Sequence, residues 1–143
     1  MPPLKAMYEL FDHTADLGVR VQATSLPELI PPATDGFYAT IGVIHVGKSP
    51  DAARSLEFTG NDPALLLRDY LAELLNLFET EQRRLIGVRV HEFTPERLAV
   101  SGQAQPVDRE RSSLRREVKA VTYHELAVRQ TPGGYEATYI VDI

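Results

Sequence analysis

The stretch from Asp62 to Glu81 constrains this chain more than any other. Leu66, Leu67, Tyr70, Leu71, Leu74 and Phe78 recur at helical spacing on one face, and Arg68, Asp69, Glu73, Asn76 and Glu79 take the other. Asp62 suits an N-cap and Pro63 the first helical position. A helix with one wide apolar stripe must lay it against something, and its neighbours in sequence read as strands. Gly18 to Ala23 alternates Val19, Val21 and Ala23 with Arg20 and Gln22. That is a strand with one face buried.

The remaining segments complete an α+β pattern. Tyr8 to Phe11 is a short extended piece, and Asp12 to Asp16 is a polar turn. Ser25 and Glu28 have capping-box spacing, and Leu26, Leu29, Ala33, Phe37 and Ile41 follow a helical period. Pro31 and Pro32 fall inside that period, so a broken or kinked helix is expected. Gly47 to Ala53 is a loop, and Arg54 to Thr59 a strand. Ile86, Val88 and Val90 alternate with Arg89 and His91, turn at Thr94-Pro95-Glu96 and return as Arg97 to Ala104. Pro106 to Arg116 is charged and reads as a mobile loop. Glu117 to Gln130 reads as one long strand, and Tyr135 to Ile143 as the last. The expectation is a mainly antiparallel sheet with two helices packed on one face.

Composition narrows the function. The 143 residues suit a single domain spanning 1–143. There is no cysteine, which rules out disulfides, thiolate metal sites and cysteine nucleophiles, and agrees with a cytoplasmic protein. A net charge of −5 argues against a long direct grip on RNA, because a nucleic-acid backbone calls for a basic surface. No apolar run approaches the roughly 20 residues needed to span a bilayer, so no membrane partner is expected.

Chemistry concentrates at two places. Asp12-His13-Thr14-Ala15-Asp16 puts two carboxylates and an imidazole within five residues. Such a cluster either stabilises a turn through local hydrogen bonds or offers hard oxygen ligands to a divalent cation. Val141-Asp142-Ile143 brings the Asp142 side chain and the carboxylate of Ile143 together at a strand end, unless that end frays. The alternation of Tyr139, Val141 and Ile143 argues for a strand held in the sheet. His45, His91 and His124 share no zinc-ligand spacing, and no catalytic triad or phosphate loop is present. No catalytic residue is assigned. Arg109, Arg111, Arg115 and Arg116 form either a solvated charged loop or a docking surface.

Four stretches taken together resemble the archease family: Tyr8 to Asp16, Asp62 to Glu81, Glu117-Val118-Lys119-Ala120-Val121-Thr122-Tyr123-His124, and Ile140-Val141-Asp142-Ile143. The resemblance runs from about Tyr8 to Ile143 and implies a fold related to the strand-helix-strand-strand module. It implies an accessory protein, not an enzyme, that helps a GTP-dependent RNA ligase of tRNA splicing or RNA repair to become guanylylated and to turn over repeatedly. RNA would be met through the ligase. It also implies a divalent metal site, calcium with magnesium or manganese as substitutes, on Asp16, Asp142 and Ile143. Asp12, His13, Asp51, Lys119 and His124 are further candidates. One departure is that Gly42 stands where family members often carry an aspartate. The loop acid falls at Gly47 or is supplied by Asp51. Two other functions fit the residues: a metal-dependent phosphohydrolase using Asp12, His13 and Asp16, and a chaperone-like scaffold without chemistry.

Overall fold

The computed structural model describes residues 6–13, 16–49 and 52–143, and of His13 the main chain only. In chain order the elements are β1 (Met7–His13), β2 (Asp16–Ala23), a 3-10 turn (Pro27–Leu29), α1 (Ile30–Ile41), β3 (Gly42–Val43), β4 (Ala53–Thr59) and α2 (Pro63–Glu81). Then follow β5 (Arg83–Phe93), β6 (Arg97–Pro106), β7 (Ser113–Leu114), β8 (Ala120–Val121), β9 (Ala127–Thr131) and β10 (Gly134–Asp142). Every strand pairing among the described residues is antiparallel. With two α-helices, this is the expected α+β class.

The strands divide among three sheets. One runs β1-β2-β10-β8, with β9 also on β10; the second runs β4-β6-β5; the third is the ribbon β3-β7. The polar cluster at Asp12 to Asp16 is therefore not all turn. Asp12, His13 and Asp16 lie in strands, with His13 opposite Asp16 at the end of the β1-β2 hairpin. The long strand expected from Glu117 to Gln130 is broken as well. β8 and β9 leave Thr122 to Leu126 between them, and Glu125 takes a φ of +52°. Tyr123, His124 and Glu125 are all exposed, so no apolar alternation favours pairing there. Thr122 ends β8 by donating both its N–H (2.9 Å) and its Oγ1–H (3.0 Å) to the Ile140 carbonyl.

The paired prolines do not break α1. They fall in its first turn, where no intrahelical N–H bond is lost. At Ser25, the hydroxyl accepts from the Glu28 N–H (3.3 Å), while the Glu28 carboxylate takes the Thr24 hydroxyl. α2 follows its sequence closely. The Asp62 carboxylate accepts from the Ala64 N–H (2.9 Å), and the helix stops at Gln82 in the left-handed region (φ 54°). Leu66, Leu67, Tyr70, Leu71 and Leu74 are buried, and Phe78 is half-buried against the core.

Three buried tyrosines tie α1 to the rest of the core. The Tyr38 hydroxyl accepts from the Leu85 N–H on β5 (2.9 Å). Tyr70 on α2 shares a hydroxyl hydrogen bond with Thr34 on α1 (2.6 Å). Tyr139 on β10 donates to the Ala33 carbonyl (2.8 Å). A buried hydroxyl without a partner is costly, so these bonds fix α1 relative to α2 and both large sheets.

Candidate functional site

β2 is held between β1 and β10, and that arrangement brings the two sequence candidates together. Asp142 is the direct register partner of Asp16, as Val141 is of Leu17 and Tyr139 of Val19. The Cβ atoms of such partners are about 4.5–5.5 Å apart, and successive pairs alternate between faces. Leu17, Val19 and Val21 face the core with Val141, Tyr139 and Ala137. Asp16 and Asp142 therefore share the opposite face. Both are half-buried.

Four strands meet on this row. His13 of β1 is opposite Asp16, and Ala120 of β8 is opposite Asp142. The Lys119 N–H donates to the Asp142 carbonyl (2.8 Å), which fixes the end of β10. Lys119 thus contributes its main chain; its side chain is exposed and makes no ion pair among the described residues. Ile143 follows directly after β10. Next to the row on the same face, the Phe11 ring covers Gly18, where a Cβ would meet ring carbons at 2.2 Å. The Arg20 guanidinium lies over that ring (4.6 Å) and pairs with Glu9. Ile140, opposite Gly18, is fully buried. The carboxylate pair therefore has apolar surface on its inner side.

The other candidates are distributed differently. Asp12 is opposite Leu17, so strand alternation turns it away from the Asp16 face, and it is exposed. His13 is in register with Asp16, but its side chain is outside the described residues, as is Asp51. His124 lies in the exposed turn after β8, not on a strand, with its N–H on Thr122 Oγ1 (3.2 Å). Gly42 ends α1. Its backbone runs against β7 so closely that a Cβ would lie 2.0 Å from the Ser113 carbonyl oxygen. No side-chain ligand could be carried there.

Chemically, the site is a pair of facing carboxylates. Two such groups repel when both are ionised, and a cation between them removes the conflict. Their hard oxygens suit calcium or magnesium, and the chain has no thiolate that would favour a softer metal. Among the described residues no three His, Asp or Glu side chains gather to hold an ion. The described side chains thus fit a divalent cation in part, and the rest of its shell must come from main-chain oxygens, water or a partner. Register was what the sequence could not give: both carboxylates stand at strand ends, but which strands adjoin is set by long-range pairing.

Comparison with known proteins follows the same outline. The model of the Archease protein family matches residues 8–143. A protein archease of Methanosarcina acetivorans is 34% identical over the whole of both chains. One from Archaeoglobus fulgidus is 32% identical, covering 95% of this chain and 98% of its own. Among solved structures, the solution structure of Protein 1598 from Methanobacterium thermoautotrophicum superposes with a TM-score of 0.73 at 27% identity, covering 95% of this chain and 98% of its own. The crystal structure of a Thermotoga maritima archease, described as a possible chaperone, shares the fold with a TM-score of 0.67 at 17% identity, covering 98% of this chain and all of its own.

Proposed function

The chain belongs to the archease family, and on that premise we propose that it is an accessory protein that activates a GTP-dependent RNA ligase in tRNA splicing or RNA repair. In this reading it promotes guanylylation of the ligase and repeated turnover, and performs no bond chemistry of its own. The observation that carries the reading is the direct pairing of Asp16 with Asp142. Two carboxylates delivered to one spot by strands far apart in sequence repel when both are ionised, and a bound cation relieves that repulsion. Asp16 and Asp142 would hold a divalent cation with main-chain oxygen from Ile143, calcium first and magnesium or manganese as substitutes. Bound there, the ion would neutralise the pair and leave coordination positions for oxygens from a partner. The chain's own residues would do the positioning: the β2-β10 register sets the carboxylates, and the Lys119 amide holds the end of β10 from its other side.

The test is a purified cognate ligase at limiting GTP, with and without this protein, measuring ligase–GMP formation and product per ligase. Wild-type protein should raise both. Asp142→Asn and Asp16→Asn should each weaken calcium binding by calorimetry and reduce stimulation together. Stimulation by the variants equal to wild type would reject the role of the pair. No stimulation by wild type would reject the ligase reading.

A further inference from the structure

The ribbon β3-β7 has only two residues on each strand, too little to hold itself together, and yet its surroundings fix it firmly. Gly42 allows β7 to approach at close range. The N–H groups of Arg115 and Arg116 both donate to the Ile41 carbonyl (2.8 and 3.1 Å). Arg116 Nη1 donates to the Thr40 carbonyl (3.2 Å), a cation placed at the negative end of α1. Ser112 Oγ accepts from the His45 N–H (2.9 Å) and donates to the Asp108 carbonyl (2.6 Å). Beside its charged side chains this network presents two apolar ones to solvent. Leu114 is 41% exposed and Val43 is 47% exposed. Beside Leu114 opens a hollow of about 320 Å³ floored by Ile41 and Phe78 and rimmed by Arg115, Arg116 and Glu117.

Charge adds a second observation. Between Arg109 and Lys119 the chain carries Arg109, Arg111, Arg115, Arg116 and Lys119 against Glu110 and Glu117, a local positive surplus in a chain whose net charge is −5. The Arg115 side chain is exposed and makes no hydrogen bond or ion pair among the described residues. A fixed apolar anchor beside an open hollow, next to a guanidinium with no partner among the described residues, is the arrangement that protein partners use as a binding hot spot.

We propose that this surface docks an extended acidic segment of a protein partner, with one bulky apolar side chain of that segment entering the hollow beside Leu114 and a carboxylate meeting Arg115. The partner is the RNA ligase of the proposed function, and the inference rests on that reading. The chain's net charge of −5 disfavours a phosphate backbone along this surface, so it favours protein over RNA. The segment from Lys119 to Asp142 connects it to the carboxylate pair, since Lys119 bonds the Asp142 carbonyl.

The experiment measures binding of this protein to the purified ligase at low and high salt, using wild type, Leu114→Ser, Arg115→Glu and Glu117→Lys. None of these side chains belongs to the carboxylate pair, and calcium binding and the thermal midpoint should stay at wild-type values. Leu114→Ser and Arg115→Glu should each weaken binding about tenfold, the loss of one anchor contact. Arg115→Glu should also flatten the salt dependence, and Glu117→Lys should tighten binding at low salt. Equal binding by all four proteins overturns the docking site while leaving the ligase reading standing. Ligase binding unchanged by Arg115→Glu while binding of a fluorescent RNA is lost would assign the surface to RNA and overturn it too. No binding of wild type to the ligase overturns both.

Discussion

At Gly42 the backbone takes a φ of +156°, and the carbonyl oxygen of Ser113 occupies the space a Cβ would need. Both facts act against any side chain. The glycine is thus built into the packing of this chain, where β7 lies against the end of α1. Gly42→Asp is expected to destabilise the protein by about 1–3 kcal/mol through backbone strain alone, and not to improve metal binding. A urea midpoint equal to wild type, or tighter calcium binding by calorimetry, would show that the β3-β7 contact gives way easily. Residue chemistry was otherwise legible. Asp142 could be picked out at a strand end because Tyr139, Val141 and Ile143 alternate around it, whereas Asp16 read only as one acid of a polar turn and was singled out by the family resemblance. Asp12 could not be separated from them until the hairpin register showed that it faces the other way.

Among the elements, α2 was the most legible: cap, first-turn proline and stripe act within a few residues of one another, while its stop at Gln82, left-handed without a glycine, had no such signal. The segment after β6 was not. Its polar, charged composition suggests a mobile loop, but main-chain bonds to Ile41 and side-chain bonds to Thr40 and His45 hold it on the end of α1 and the segment that follows. No local pattern encodes these bonds, because their partners lie some seventy residues earlier, around the open end of a helix whose carbonyls need donors (Arg116 and Thr40 are 76 residues apart). Leu114 was the one available signal, an apolar residue isolated in a charged run. Hydrogen exchange separates the two descriptions. The amides of Arg115 and Arg116 should be protected well above those of Arg109 and Glu110, which sit in the exposed turn. Uniformly fast exchange from Pro106 to Arg116 would restore the mobile loop.

For the molecule as a whole, the three tyrosine links determine how it fails. They lie where α1, α2, β5 and β10 meet, and each couples the folded state to one proton. Burial pushes the Tyr38 phenol up to about 12, although the Leu85 N–H and the Arg84 guanidinium over its ring both favour the phenolate. Burial raises Tyr70 further despite the Thr34 hydrogen bond, and raises Tyr139 well above the usual value, since it is wholly enclosed. In the unfolded chain tyrosine ionises near pH 10. A raised native value means that the folded protein keeps protons the unfolded chain releases, so stability is intact below about pH 10 and falls as pH rises through the native values. Each retained proton costs about 1.4 kcal/mol per pH unit, and three together roughly 4 kcal/mol per unit. Against a typical stability of about 5–15 kcal/mol, the fold should collapse cooperatively within a few pH units above 10. Urea midpoints taken from pH 8 to 12 should hold steady and then drop, with phenolate absorbance from these three tyrosines rising only as the near-ultraviolet dichroism is lost. Tyr38→Phe should make the drop shallower while lowering stability at neutral pH, because the Leu85 N–H loses its buried acceptor. Ionisation of all three near pH 10 in a protein that keeps its dichroism would mean that α1 is not sealed against the two sheets.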